Sequence, residues 1–416
     1  MASQPDGMAA GKRGMDEGRG ARPRRLGAKD DEVMITEVHI QNFKSIQDLK
    51  LKLGRVTVLI GENGCGKSNI LEAIAFASAA ANNKLDNEFL ASRGIRMTDP
   101  QFMRAAFRDD TSKSQIEVAV ADQKNKYDFT FVHHQDSASW MWDERAAANE
   151  SQKMHETVRI LDTTLANTPG ADITPLLKQI QAIIKRLDVV SLQSERLQHF
   201  LIYSPENRSL RTFEREGQIL PLGINGEGLF KLLKTLYERS DQESISELKE
   251  GLSLIDWFED FRVSPGLSSL EATIQVKDRH LSDVFNYFDQ RSSNEGFLFL
   301  LFYFSLFISR ETPRFFAVDN IDASLNPKLC RELTRRLAAL AQKHDKQVIL
   351  TTHNPAVLDG LDLNDDEQRL LVVYRNSKGY TKARRVTAPE PISGEPPIRL
   401  SEAFLRGLIG GLPQNF

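Results

Sequence analysis

Residues 56–70 read VTVLIGENGCGKSNI, and this stretch decides the fold. An apolar run, Val56 to Ile60, leads into a loop carrying Gly61, Gly64 and Gly66, and Lys67-Ser68 opens the next segment. Gly61, four intervening residues and Gly66-Lys67-Ser68 match the phosphate-binding Walker A pattern. A strand delivers such a loop, its backbone N–H groups converge on an anion, and the helix that follows adds the positive end of its dipole. Glycines are needed because Cβ atoms would block close backbone approach and left-handed φ values. Lys67 is placed to reach the outer phosphates of a nucleoside triphosphate, and the Ser68 hydroxyl to take a position on Mg²⁺. The candidate binding residues are therefore Gly61, Asn63, Gly64, Gly66, Lys67, Ser68 and Asn69.

The bulk properties bound the rest. The 416 residues are 40% apolar and 27% charged, the make-up of a globular protein with ample length for a core. A net charge of −3 gives no bulk attraction for a polyanion, so any DNA contact must use a local basic patch. Of the two cysteines, Cys65 sits in the phosphate loop, which argues against a structural disulfide and for a reducing, cytoplasmic setting. The longest apolar run, residues 297–308, is too short to span a bilayer and reads as a buried helix, so no membrane partner is expected. Residues 1–33 are rich in Gly, Arg and Ala and read as a disordered tail, with a basic cluster at Arg19, Arg22, Arg24, Arg25 and Lys29. Met34 is a candidate start of the functional chain.

Outward from the loop, residues 35–40 and 46–53 alternate as strands on either side of Asn42-Phe43-Lys44-Ser45. After Ser68, the spacing of Ile70, Leu71, Ile74 and Ala77 predicts a helix with one inner face. Asn83-Lys84-Leu85-Asp86 spells a guanine-reading tetrapeptide. It falls just past the first helix rather than at the end of a later strand, so adenine, and hence ATP, is the expected ligand. Residues 115–132 read as a hairpin turning at Lys124-Asn125. A mainly helical segment follows, clearest at 175–187, where Lys178, Lys185 and Arg186 mark a solvated or DNA-facing side. Residues 200–204 and 270–276 read as strands, 229–237 as a helix, and Ile245, Leu248, Leu252 and Ile255 as one face of another.

The apolar run 315–318 ending in Asp319 is the Walker B pattern, a strand-end carboxylate able to hold Mg²⁺ directly or through water. Leu325-Asn326-Pro327 leads into a helix over 329–342. Strand 347–352 ends at His353, where an open α/β sheet binds ligands. There an imidazole is placed for a γ-phosphate or an attacking water. Ser293 is the expected cap of the helix through 297–308, with Gly296 beside it, and such a helix start is an anion site.

These elements together resemble the ABC-type ATPase heads of the SMC, RecF and OLD proteins, and more closely the stand-alone bacterial AAA-type ATPases of that group. The matching residues are Asn42-Phe43-Lys44-Ser45, the P-loop with Asn69, Asp319 with Leu325-Asn326-Pro327, and Thr351-Thr352-His353-Asn354-Pro355. Ser204-Pro205 and the stretches 222–229 and 400–411 also match. The resemblance implies an α/β P-loop NTPase of SMC-head type: a mixed sheet core, an N-terminal antiparallel β lobe and a helical insertion. It divides the chain into a tail (1–33), one half of the head (34–148), the insertion (149–260) and the second half (261–416). In that group two heads sandwich two ATP molecules. The resemblance then makes residues 293–296, with Ser293 and Gly296, the signature that caps ATP on a second copy. It makes 323–326 the D-loop and His353 the switch histidine, brings Lys44 toward the nucleotide, and offers Gln101 as lid glutamine. The catalytic set is Lys67, Asp319, Asp322 and His353.

Two departures matter. Asn320 stands where the group has a glutamate that activates water, and an amide cannot accept the proton. Asp322 is the candidate substitute; without one, turnover is slow and the ATP-bound dimer persists. Asn294 also stands where the signature has serine. With 224 residues between Ser68 and Ser293 there is no room for an SMC coiled coil. The 63 residues after His353 show no acidic cluster of a nuclease, so a separate effector, a nuclease among the options, is expected. The expected role is an ATP-driven dimeric or higher-order ATPase serving DNA repair or anti-phage defence. The alternative is a nucleotide-gated scaffold or sensor with little turnover. A transporter subunit fits poorly with the insertion and the N-terminal sheet.

Overall fold

Strands from both ends of the chain meet around the phosphate loop. The computed structural model describes residues 33–107, 115–133, 142–144, 195–212, 221–264, 273–282, 287–388 and 398–412. The expected tail, the helix at 175–187 with its basic side and the start of the strand at 270–276 lie outside them. The chain runs β1 (Ile35–Phe43), β2 (Ile46–Lys52), β3 (Val56–Ile60), α1 (Lys67–Ala81), α2 (Asn87–Ser92), α3 (Pro100–Met103), β4 (Gln115–Asp122), β5 (Lys126–His133) and β6 (Trp142–Glu144). Then come α4 (Glu195–Gln198), β7 (Ile202–Tyr203), α5 (Asn207–Arg211), α6 (Leu229–Glu238), α7 (Gln242–Leu252), β8 (Phe258–Val263), β9 (Ile274–Asp278) and β10 (Phe288–Asp289). The C-terminal part adds α8 (Glu295–Ile308), β11 (Phe315–Val318), α9 (Pro327–Lys343), β12 (Gln347–Thr352), β13 (Gln368–Arg375), β14 (Thr381–Val386) and α10 (Leu400–Leu405).

The central sheet has the order β14-β13-β3-β12-β11-β7. Its strands from β13 to β7 are parallel neighbours, and β14 closes one edge antiparallel. Parallel strands are covered on both faces, so they read as continuous apolar runs. All five residues of β3 and all four of β11 are buried. The period of two then sorts them: Val58, Phe316, Val318 and Leu350 pack into one core, and Leu59, Phe315, Ala317 and Ile349 into the other. The first core is dominated by α8, whose residues from Phe297 to Ile308 are all buried. The second lies under the antiparallel sheet β2-β1-β4-β5-β6.

This layering corrects one expectation. Helix α1 does not have a single inner face; it is buried on every side from Ile70 to Ala80. It is sandwiched between the central sheet and the N-terminal sheet, where Phe76 packs on Phe43 and Phe131. Short Ala and Ser side chains at positions 73, 75 and 77–80 let both sheets approach it. Helix α7 ends at Leu252, so Ile255 lies beyond it. The guanine-like tetrapeptide is a helix connection in which the Asp86 carboxylate accepts from Phe89 N and caps α2.

Candidate nucleotide site

The loop between β3 and α1 lies at the C-terminal end of the parallel strands, and its glycines are required by what surrounds them. A Cβ on Gly61 would sit 2.1 Å from the Val373 carbonyl oxygen. Gly66 has φ +108°, and a Cβ there would sit 2.2 Å from Thr381 Oγ1. Lys67 is buried and donates to the carbonyls of Gly61 (2.8 Å) and Glu62 (3.1 Å). Burial lowers its pKa; Cys65, Asp319 and Asp322 act in the opposite direction. Burial also raises the Cys65 thiol, partly offset by Lys67. Asn63 and Gly64 form the exposed tip.

Strand β12 lies between β3 and β11, so its end faces both halves of the site. Ser68 Oγ donates to Asp319 Oδ2 at 3.1 Å. Thr351 donates to the other oxygen of Asp319, and Thr352 Oγ1 donates to Asp322 Oδ1 at 2.6 Å. Two consecutive threonines thus aim the two acids. Thr351 Oγ1 also accepts from Asn320 N at 2.9 Å, with Asn320 at φ +56°. Asparagine tolerates that left-handed conformation better than most side chains, so Asn320 suits its backbone. His353 is exposed just past β12. Burial and then Lys67 lower its pKa below the ordinary value, against Asp322, Asp319 and a Gly61 backbone hydrogen bond, which favours neutral imidazole at pH 7.

Beside the loop, a cleft of ≈ 420 Å³ is lined by Lys44, Ser45, Asn69, Arg96, Phe107 and Arg375, among others. Lys44, at φ +47°, forms an ion pair with Glu72 of α1, whose other oxygen accepts from Arg96 Nε at 2.6 Å. Glu72 is 1% exposed, so its charge rests on both partners. Gln101 is exposed on α3.

At the start of α8 the expected cap is displaced by one residue. Asn294, not Ser293, is the N-cap, accepting from Phe297 N at 2.8 Å. Ser293 is 3% exposed, and among the described residues its Oγ has no hydrogen-bond partner. Gly296 faces Ser324 and Leu325 of the 323–326 turn. Among the described residues no hydrogen bond joins Ser293 or Gly296 to the P-loop of the same chain.

The family model described as "AAA ATPase domain" matches residues 34–358. The chain belongs to that family. Related stretches occur in the Septu protein PtuA of Bacillus mycoides, 29% identical over 108 residues, covering 24% of this chain and 15% of PtuA. They occur also in the DNA replication and repair protein RecF of Bacillus cytotoxicus, 35% identical over 57 residues, covering 14% of this chain and 15% of RecF. The chain spans about a third or less of the length of such curated relatives. A crystal structure of the SmcHead bound to the C-winged helix domain of ScpA matches over 85% of this chain and 98% of its own, with TM-score 0.52 and 14% identity. That likeness shows the fold: an SMC/RecF-like α/β P-loop NTPase with an N-terminal antiparallel sheet.

The residues at this site fit Mg²⁺–ATP. The cradle excludes Cβ atoms at Gly61 and Gly66, and Ser68 and Asp319 set two oxygen donors side by side. Among the described residues no group of three or more His, Cys, Asp or Glu could hold an ion. With Ser68 and Asp319 as protein donors, the remaining positions on a bound Mg²⁺ would be open to phosphate oxygens and water. No described helix is long and apolar enough to cross a membrane. Thr351, Thr352, Glu72, Arg375 and Thr381 have no role legible in the sequence. The threonines at 351 and 352 sit inside the motif that ends at His353. Thr381 and Arg375 reach the loop from more than 300 residues away and carry no local signal.

Proposed function

We propose that this ATPase binds ATP with Mg²⁺ on residues 61–69 and Asp319, closes against a second copy of itself, and couples nucleotide state to a DNA-related task through a separate effector. The observation that carries the reading is the Ser68 hydroxyl on the Asp319 carboxylate at 3.1 Å, with Lys67 buried beside them. Bound Mg²⁺–ATP supplies the reacting phosphate and the charge neutralisation of its transfer. Ser68 and Asp319 hold the ion, Lys67 draws on the phosphate oxygens, Thr351 fixes the carboxylate, and Asp322 and His353 lie where water is oriented. Lys44, Ser45 and Asn69 line the cleft that takes the nucleoside end. Ser293 and Gly296 act in trans: the Ser293 hydroxyl at the start of α8, without a partner among the described residues, supports a ligand carried by another copy.

Residues 34–148 and 261–416 form the two halves of the ATPase head with 149–260 inserted between them, and within that stretch β7 joins the central sheet and α6 and α7 share the core of α8. The relatives named for Septu and for DNA replication and repair support a defence or repair task, and a nuclease is one class of effector. Two buried free cysteines suit the cytoplasm. Asn320 favours a second reading, a nucleotide-gated scaffold in which ATP holds the oligomer and is cleaved slowly.

Steady-state ATP turnover, with and without DNA, is measured for the wild type and Lys67→Ala, alongside solution mass with and without ATP. Turnover above the Lys67→Ala background and an ATP-dependent gain in mass are expected. A wild-type rate equal to that background removes the hydrolytic reading. A mass insensitive to ATP removes the sandwich.

A further inference from the structure

The β13–β14 hairpin carries hydroxyl and guanidinium contacts to the phosphate loop that the proposed chemistry does not use. Thr381, fully buried at the start of β14, donates from Oγ1 to the Cys65 carbonyl at 2.8 Å. Its backbone N–H donates to Ser45 O at 2.8 Å. Ser45 Oγ and Thr381 Oγ1 are 2.7 Å apart, and Asn69 Nδ2 donates to Ser45 Oγ at 2.6 Å. Each hydroxyl has one proton to give. Thr381 gives its proton to Cys65, so Ser45 must give its own to Thr381. The chain therefore runs one way: Asn69 to Ser45, Ser45 to Thr381, Thr381 to Cys65. Aligned hydrogen bonds of this kind polarise one another.

The consequence falls on the next peptide. The Cys65–Gly66 unit is planar, so a carbonyl held toward the hairpin points the Gly66 N–H the opposite way. Gly66, at φ +108°, has the conformational freedom to turn that peptide over, and Thr381 opposes it. Arg375 Nε, from the other strand of the hairpin, holds the Gly64 carbonyl at 2.8 Å. A carbonyl turned inward would repel phosphate, whereas an N–H turned inward attracts it.

We infer that Thr381 is a positioning residue for nucleotide phosphates, acting through the Cys65–Gly66 peptide, and that the β13–β14 hairpin preorganises the P-loop. The inference rests on the nucleotide-binding reading above.

Thr381→Val keeps shape and removes the hydroxyl; Thr381→Ser keeps the hydroxyl. Binding of a fluorescent ATP analogue, kcat and KM, and nucleotide-free melting are measured for both, with wild type and Lys67→Ala as references. Thr381→Val is expected to weaken ATP about tenfold, the size of one lost hydrogen bond, mainly in Kd and KM rather than kcat. Thr381→Ser is expected to restore affinity to within about twofold. If Thr381→Val does not fold, Ser45→Ala, which removes the preceding link, is expected to weaken ATP about threefold without lowering the melting temperature as far. Wild-type affinity in Thr381→Val, or in Ser45→Ala where that variant stands in, overturns the inference, as does an equal loss in Thr381→Ser. Failure of the wild type to bind ATP better than Lys67→Ala overturns the nucleotide reading itself.

Discussion

The two sides of the site are built in different ways. On the loop side, the carbonyls of Gly61 and Glu62 are taken by Lys67, that of Gly64 by Arg375 and that of Cys65 by Thr381. The contacts come from α1 and from a hairpin more than 300 residues away. On the acid side, Asp319 hangs on Thr351 and Ser68, and Asp322 on Thr352. Between the acids Asn320 offers an amide in a left-handed turn. On the proposed reading, holding phosphate would be spread over many weak contacts, and cleaving it would depend on a few groups. Substitutions on the loop side should therefore act mainly on affinity, and those on the acid side mainly on turnover.

The largest effect expected from this contrast is at Asp319. Asp319→Asn keeps the shape but removes the charge that would pair with Mg²⁺ in the proposed site. Loss of one such electrostatic contact to a developing charge costs about 10²–10³ in kcat. ATP affinity should change only a few-fold, because the loop contacts survive. Steady-state hydrolysis and analogue titration on the same preparation separate the two. A fall in affinity as large as the fall in kcat would break the contrast.

Asn320→Glu runs in the opposite direction. A general base contributes typically 10²–10⁴-fold, but φ +56° strains a glutamate by about 1–2 kcal/mol, so a gain of about tenfold in turnover is expected, with a lower melting temperature. No gain, together with loss of activity in Asp322→Asn, would assign the water to Asp322. No change in either variant would leave the acid side without a base and favour the scaffold reading.

How far the site was legible follows the same division. Residues 61–68 and 315–319 could be read because each carries its pattern in consecutive residues directly after, or at the end of, an apolar strand. The hairpin at 115–132 was legible from alternation alone. The buried circumference of α1 was not, because a second sheet covering its outer side leaves no local mark. The cap of α8 was placed on Ser293 rather than Asn294 because both side chains cap helices well; the choice depends on the φ and ψ at which the chain enters. Thr381 and Arg375 are ordinary strand residues until the fold sets them against Cys65 and Gly64.

The smallest effect tests the finest feature of the acid side. Thr352 Oγ1 donates to Asp322 and accepts from Asn354 N at 2.9 Å, so one hydroxyl sets both the acid and the turn that carries His353. Thr352→Val should lower kcat about fivefold, somewhat less than a full charge-assisted hydrogen bond because Asp322 is partly solvated, and leave ATP affinity unchanged. The pH profile adds a sign. Asp322 raises the pKa of His353 against burial and Lys67, which lower it. With neutral imidazole as the working form, the wild-type rate should hold above pH 6.5 and fall on the acid side of it. A carboxylate released by Thr352→Val and turned into solvent no longer raises that pKa, so the acid limb should move to lower pH. A limb that moves upward would mean that the threonine holds Asp322 away from His353.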